Sequence, residues 1–412
     1  MLKNLRVALS ASTAMVALVA TMAIPAGAST GTTDPTLKSD TSLSGPATIA
    51  GAGSTFDAPL INAAQAIYTA RNANATISSY QAVGSGTGQT DIANGLVNFG
   101  ASDVPMAQTD LSGMSHISGA AKSLSSYIQV PVALGGVAMG YNLPAITQSK
   151  VFKKYGLKLT GTIIAKIYSG AITKWNDRAL CNLNPLIVNV KRNAAGKIIS
   201  KTCALPNHTI TVVARSDGSG TTYAFTNFMN AVSPSLWTKV SKAEIALPAN
   251  GVNENGNAGV AAEVANNGYT LGYIEYSYLL LNRGITAAAV QNASGSFVQP
   301  SVAGVAAAAA RNTHVSSTHF SIDYLKGVTA YPISTYSWVI VRKEQKGVAT
   351  SLRQAQLLVK FLDWLSESSP VSGTLAGQNV AAAQAYVPLP ANIQALAHSQ
   401  LLKVTYGGKA IL

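Results

Sequence analysis

Acidic side chains are scarce in this chain. Asp and Glu number 16 against 29 Lys and Arg, and charged residues of both signs make up only 11% of the 412 residues. The net charge of +13 suits nucleic acid, an anionic wall or membrane surface, or a small anionic ligand. No cluster of Lys and Arg interleaved with aromatic residues occurs, which argues against nucleic acid. So few carboxylates would also fit an acidic exterior, where such groups lose their charge.

Cysteine is rarer still. Cys181 and Cys203 are the only two, and the five His, at 116, 208, 314, 319 and 398, are scattered. A redox or metal site would need closer spacing or further ligands, so neither a metal nor another cofactor is expected. In an exported chain the simplest expectation is a Cys181–Cys203 disulfide. No HxH, HExxH or clustered Asp/His pattern is present to hold charge for phosphoryl hydrolysis. Beyond the first 28 residues no run is long and apolar enough to span a bilayer.

What is present begins with an address. Lys3 and Arg6 precede or flank the uncharged apolar run from Val7 to Ile24, and Ala26-Gly27-Ala28 supplies a small-residue cleavage site. This is the pattern of a secretory signal peptide over 1–28, and it predicts an exported protein, periplasmic or at the cell surface. No Cys near the cleavage site offers a lipid anchor. Residues 29–45, rich in Ser, Thr, Gly and Asp, read as a flexible tether. Removing the signal leaves 384 of the 412 residues, enough for two domains.

From residue 47 the pattern is strand, Gly/Ser turn, helix, strand, which predicts an α/β fold with a mostly parallel sheet. Two long apolar strands, Ile128 to Tyr141 and Tyr331 to Val341, bracket a middle block. That arrangement predicts one lobe inserted into another: 46–134 plus 334–412 as lobe one, 135–333 as lobe two, with two crossings acting as a hinge. Lys191 to Lys201 reads as an exposed basic loop, the poly-Ala core of the Ala-rich stretch 287–311 as helix, and Leu352 to Ser366 as an amphipathic helix.

Three Gly/Ser/Thr turns each precede a helix: Ser54-Thr55-Phe56, Ser85-Gly86-Thr87-Gly88 and Ser219-Gly220-Thr221. Helix N termini carry unpaired N–H groups and the positive end of the dipole, so each is a candidate anion donor, or simply a capped helix. Arg215 adds a bidentate fork for an oxyanion, unless it only pairs with Asp217. Three such turns and one Arg, in a cleft between α/β lobes, would form a cage around one small anion.

At these residues the chain resembles the phosphate-binding protein of the phosphate ABC importer. The motifs are Gly51-Ala-Gly-Ser-Thr-Phe-Asp-Ala-Pro, Phe99-Gly-Ala-Ser-Asp-Val-Pro, Ile167-Tyr-Ser-Gly-Ala-Ile-Thr-Lys-Trp-Asn-Asp, Ala214-Arg-Ser-Asp-Gly-Ser-Gly-Thr and Gly272-Tyr-Ile-Glu-Tyr. The resemblance implies a type II periplasmic-binding-protein fold, two α/β lobes with mixed sheets closing on orthophosphate. It implies Thr55 (hydroxyl and amide), the Phe56 amide, Ser85 and Asp103 as ligands from one lobe, with Ser54 in support. Arg215, Ser219, Gly220 and Thr221 would close from the other, with Asp217 orienting Arg215. The partners implied are inorganic phosphate and ABC transporter permease subunits, with the chain a monomer and not an enzyme.

Asp103 carries its own chemical argument. A carboxylate facing an anion is repelled unless the ligand brings a proton to donate. Near neutral pH phosphate keeps at least one P–O–H and sulfate has none. Asp103 therefore favours phosphate over sulfate or molybdate in the same fold, and a secreted phosphatase using Ser85 or Ser219 is the less favoured alternative. Adhesion through the basic surface is the third class.

Overall fold

The computed structural model describes residues 46–412 apart from 113–118, 145, 147–148 and 369–374, so the expected signal peptide and tether lie outside the described residues. Seven strands build the central sheet. In chain order they are β1 (Gly51–Gly53), β2 (Phe99–Ser102), β3 (Tyr127–Asn142), β4 (Thr211–Arg215), β5 (Val252–Glu254), β6 (Thr270–Glu275) and β7 (Ser334–Arg342). Their spatial order is β5-β4-β6-β3-β7-β2-β1, with the short strand Thr286–Ala287 added beside β3.

The sheet is mixed where the sequence rhythm predicted mostly parallel pairing. Parallel pairs lie toward its two ends, β4 with β5 and β6, and β2 with β1. The centre is antiparallel, because the chain leaves on β3 and returns on β7. β3 changes partner along its length: Tyr127 to Gly136 pairs with β7, and Val137 to Asn142 pairs with β6. Both long strands are buried almost throughout, which explains their continuous apolar sequence. Pro131 cannot donate to the ladder, and the β3–β7 register shifts beside it, between Ser337 and Trp338.

Four helices open toward the same region: α1 (Ala58–Arg71), α2 (Ser85–Asn94), α3 (Gly220–Val232) and α4 (Gly256–Asn266). The predicted stripe of Leu352–Ser366 holds, with Ala355, Leu358, Phe361, Leu362 and Leu365 all buried.

One further expectation fails. Residues 191–201 belong to an antiparallel ribbon, Val188–Arg192 against Ile198–Cys203. It is exposed on both faces, so no apolar alternation marked it as strand. The poly-Ala core of 287–311 is helical as expected, over Val302–Ala309; Ala289–Gln291, ahead of that core, is a strand paired with Lys158 and Leu159. Among the described residues no helix is long and apolar enough to cross a membrane.

Cys181 and Cys203 form the disulfide at the ribbon's base. Closing a loop of this length restricts the unfolded chain, so replacing both with Ser is expected to cost about 3 kcal/mol in urea unfolding. A loss below about 0.5 kcal/mol would show that the ribbon unfolds independently of the lobe.

Candidate functional site

The three turns meet. Ser85 Oγ, at the start of α2, accepts from the Gly220 amide at 3.1 Å and from the Asp103 amide at 3.3 Å. The Gly86 amide donates to Gly218 O at 2.8 Å. Ser219 caps α3 by accepting from the Thr222 amide. Gly220 is required by close approach: a Cβ there would sit 2.4 Å from Asp103 Oδ2. Thr55, Ser85, Asp103, Arg215, Ser219 and Thr221 are all buried.

The first turn is held from behind by three tyrosines. Tyr80, Tyr278 and Tyr386 donate their hydroxyls to the successive carbonyls of Ser54, Thr55 and Phe56, at 2.9, 2.9 and 2.5 Å. With its carbonyls tied back, the turn presents its other polar groups forward. Ser54 Oγ accepts from the Phe56 amide at 2.9 Å and donates to Asp103 Oδ1 at 2.5 Å.

Arg215 ends β4 and is 1% exposed. Its Nε donates to Asp217 Oδ1 at 2.6 Å, Nη2 donates to Asp217 Oδ2, and Nη1 reaches Thr221 Oγ1 at 3.3 Å. Asp217 also accepts from the Gly256 amide at 3.1 Å, so the fork is fixed to the start of α4.

Asn257, absent from the sequence-derived set, links both sides. Its Nδ2 donates to Thr55 Oγ1 at 3.1 Å and Thr221 Oγ1 at 3.0 Å, its amide also donates to Thr55 Oγ1, and its Oδ1 accepts from the Glu275 amide. Gly256 at φ +67° sets the turn that brings it there. The signal was a fourth Gly-bearing turn, Asn255-Gly256-Asn257, opening a helix. Replacing Asn257 with Ala is expected to weaken anion binding roughly tenfold, the worth of about one bridging hydrogen-bonded side chain, by titration calorimetry; unchanged affinity would make it a packing residue.

Three buried carboxylates gather here, and Asp57 and Glu275 were not in the sequence-derived set either. Ser337 Oγ lies 2.7 Å from both Asp57 Oδ2 and Asp103 Oδ1. One hydroxyl proton serves only one of them, so a second proton is needed. Asp57 is the group that carries it: burial and the neighbouring Asp103 push its carboxyl well above the usual range, and its Oδ1 has no hydrogen-bond partner. The order is thus Asp57 donating to Ser337, and Ser337 to Asp103. Burial raises Asp103 to about 6, opposed by the hydrogen bonds from Ser54 and Ser337 and by Arg215. Near neutral pH Asp103 is an ionised acceptor beside the N termini of α2 and α3.

Burial also raises Glu275 and Asp323 to about 8. Unfolded, all four acids release their protons near pH 4. Folded, they keep them to higher pH, so the folded state binds more protons between about pH 4 and 8 and stability falls as pH rises. In anion-free calorimetry the Tm at pH 5 is expected to exceed that at pH 8, by on the order of 5 °C; the opposite slope would contradict these protonation states.

A family model described as a PBP superfamily domain matches residues 29–368. The phosphate-binding protein PstS of Xylella fastidiosa (strain 9a5c) is 34% identical over 347 residues, covering 84% of this chain and 82% of its own. PstS of Haemophilus influenzae is 32% identical, covering 85% of this chain and 92% of its own. A solved phosphate-binding protein from Stenotrophomonas maltophilia aligns with a TM-score of 0.60 at 18% identity, over 85% of this chain and 93% of that one. A high-affinity periplasmic phosphate-binding protein solved with phosphate aligns at 0.61 and 22% identity, over 85% and 93%. These two show the fold, the type II periplasmic-binding-protein fold. The family model and the two relatives together establish that the chain belongs to the PBP superfamily and, within it, to the family of the phosphate-binding proteins PstS.

Proposed function

We propose that the chain is a non-enzymatic receptor that captures orthophosphate between two lobes, outside the cytoplasm, and delivers it to an ABC importer. The observation that carries this reading is the meeting of four helix-opening turns and Arg215 around one acceptor carboxylate, Asp103. Lobe one would comprise 46–134 plus 334–412 and lobe two 135–333; the change of β3's partner at Gly136 and Val137 supports a hinge there.

Thr55, the Phe56 amide and Ser85 would hold phosphate from lobe one. Arg215, Ser219, Gly220 and Thr221 would close on it from lobe two, with Asn257 spanning both. Asp103 would accept a hydrogen bond from the ligand's P–O–H, which favours phosphate over sulfate or molybdate. Export by the signal peptide, a monomeric state and permease subunits as partners complete the proposal.

Hydrolysis is disfavoured by the state of the candidate nucleophiles. Ser85 Oγ accepts from two amides and Ser219 Oγ from one, and none of the hydrogen bonds among the described residues joins either hydroxyl to a His. Donors that hold the ground-state anion equally well do not accelerate its reaction. Equilibrium dialysis with labelled orthophosphate is expected to saturate at one per chain, with no release of nitrophenol from p-nitrophenyl phosphate. Turnover of the ester, or no saturable binding, would overturn the receptor reading.

A further inference from the structure

A basic concavity lies at the other end of β6 from Glu275. Its walls include Tyr141 and Asn142, and Asn142 pairs with Thr270, whereas Glu275 pairs with Val137 on the cleft side. The cavity is about 910 Å³ and opens to solvent. Lys153, Lys154, Lys158 and Arg283 line it, and among the described residues no carboxylate does.

That absence extends well beyond the lining. No Asp or Glu occurs between Asp110 and Asp177, or between Glu275 and Asp323, the two segments that supply the walls. Among the described residues none of the four cations belongs to an ion pair. Lys154 Nζ stands 5.2 Å over the Tyr155 ring and Lys158 Nζ 5.2 Å over the Phe297 ring. The rings position the ammonium groups by cation–π attraction, one over each ring. With four cations in one lining, a ligand that carries closely spaced negative charge is favoured.

We infer that this cavity binds a linear polymer of phosphate groups, separately from the orthophosphate cleft. A recessed groove admits a thread and excludes the plane of a bilayer. An extended acidic peptide turns alternate side chains away, so only every second charge faces the groove. A phosphate chain carries charge on each successive unit with no intervening side chain. Three compact, strongly hydrated ammonium groups and one guanidinium suit that ligand.

The test uses the full mature chain, with orthophosphate binding at the cleft followed separately as a control for folding. Long-chain polyphosphate, poly(glycerol phosphate), polyglutamate and anionic vesicles are each titrated at fixed salt. A quadruple variant, Lys153→Gln, Lys154→Gln, Lys158→Gln and Arg283→Gln, is compared with one of equal charge change on the exposed ribbon: Lys191→Gln, Arg192→Gln, Lys197→Gln and Lys201→Gln. The proposal expects the cavity variant to lose roughly 30-fold or more in affinity for either phosphate polymer, and the ribbon variant less than about threefold, with orthophosphate binding intact in both. Equal losses in the two variants would overturn it, because net charge alone would then account for binding. So would polyglutamate or vesicles binding as tightly as the phosphate polymers, or no polymer binding.

Discussion

Asp103→Asn is expected to collapse the preference for phosphate over sulfate. With the carboxylate in place, sulfate meets a buried oxygen that only accepts, and the preference should be roughly 10⁴ or more. Asn keeps the shape and can still accept from Ser54 and Ser337, which now donate to Asp103 Oδ1 at 2.5 and 2.7 Å. Its amide N–H₂ can donate to sulfate, so sulfate affinity should rise until the two anions lie within about tenfold to a hundredfold. Phosphate affinity should fall by roughly 10- to 100-fold, the worth of a hydrogen bond to a charged group. Acid should act in the same direction on the unaltered protein. Asp103 is raised to about 6 by burial, so below that pH it becomes a neutral donor and sulfate should begin to bind. A variant that still rejects sulfate would place the discrimination elsewhere.

Arg215→Ala should produce the greatest loss of affinity, on the order of 10³-fold or more for phosphate. Two effects add. The cage loses its guanidinium, and Asp217, whose side chain is 9% exposed, loses its charge partner and keeps the Gly256 amide on Oδ1. Leaving one member of a buried pair costs about 3–5 kcal/mol, so the variant should also melt earlier. Arg215→Lys separates the contributions. It keeps the charge but cannot fork onto Asp217 while reaching Thr221, so it should retain much of the stability and still lose roughly tenfold or more in affinity. If Arg215→Ala lowers stability but leaves the phosphate Kd within about threefold, Arg215 is a structural ion pair and no ligand.

The parts of this account that were readable in sequence are those written in local chemistry. Ser85, Ser219, Gly220 and Thr221 sit in Gly/Ser/Thr turns that open helices, and the Arg215–Asp217 pair is two residues apart. The family motifs joined these turns across the chain, which spacing alone could not do. β3 and β7 declared themselves by unbroken apolar runs, because both of their faces are buried.

What was hidden depends on contacts between distant segments. Ser337 is one polar residue in a buried strand, and its meeting with Asp57 and Asp103 spans 280 and 234 residues of chain. Asn257 looked like one more turn residue, yet it reaches Thr55 at a separation of 202. The tyrosine clamp is equally silent in sequence, since Tyr278 and Tyr386 meet the first turn from 223 and 330 residues away. The proton on Asp57 follows only from a hydroxyl placed between two carboxylates. The ribbon escaped notice for the opposite reason: it is exposed on both faces, so burial imposes no pattern on it.

The decisive measurement is a paired calorimetric titration of the anion-stripped protein with phosphate and with sulfate at pH 7.5. The account predicts tight one-to-one binding of phosphate and no heat from sulfate. Equal binding of both would keep the anion cage and remove the proton-reading role of Asp103. Binding of neither would mean that the turns around Thr55, Ser85 and Ser219 only cap their helices.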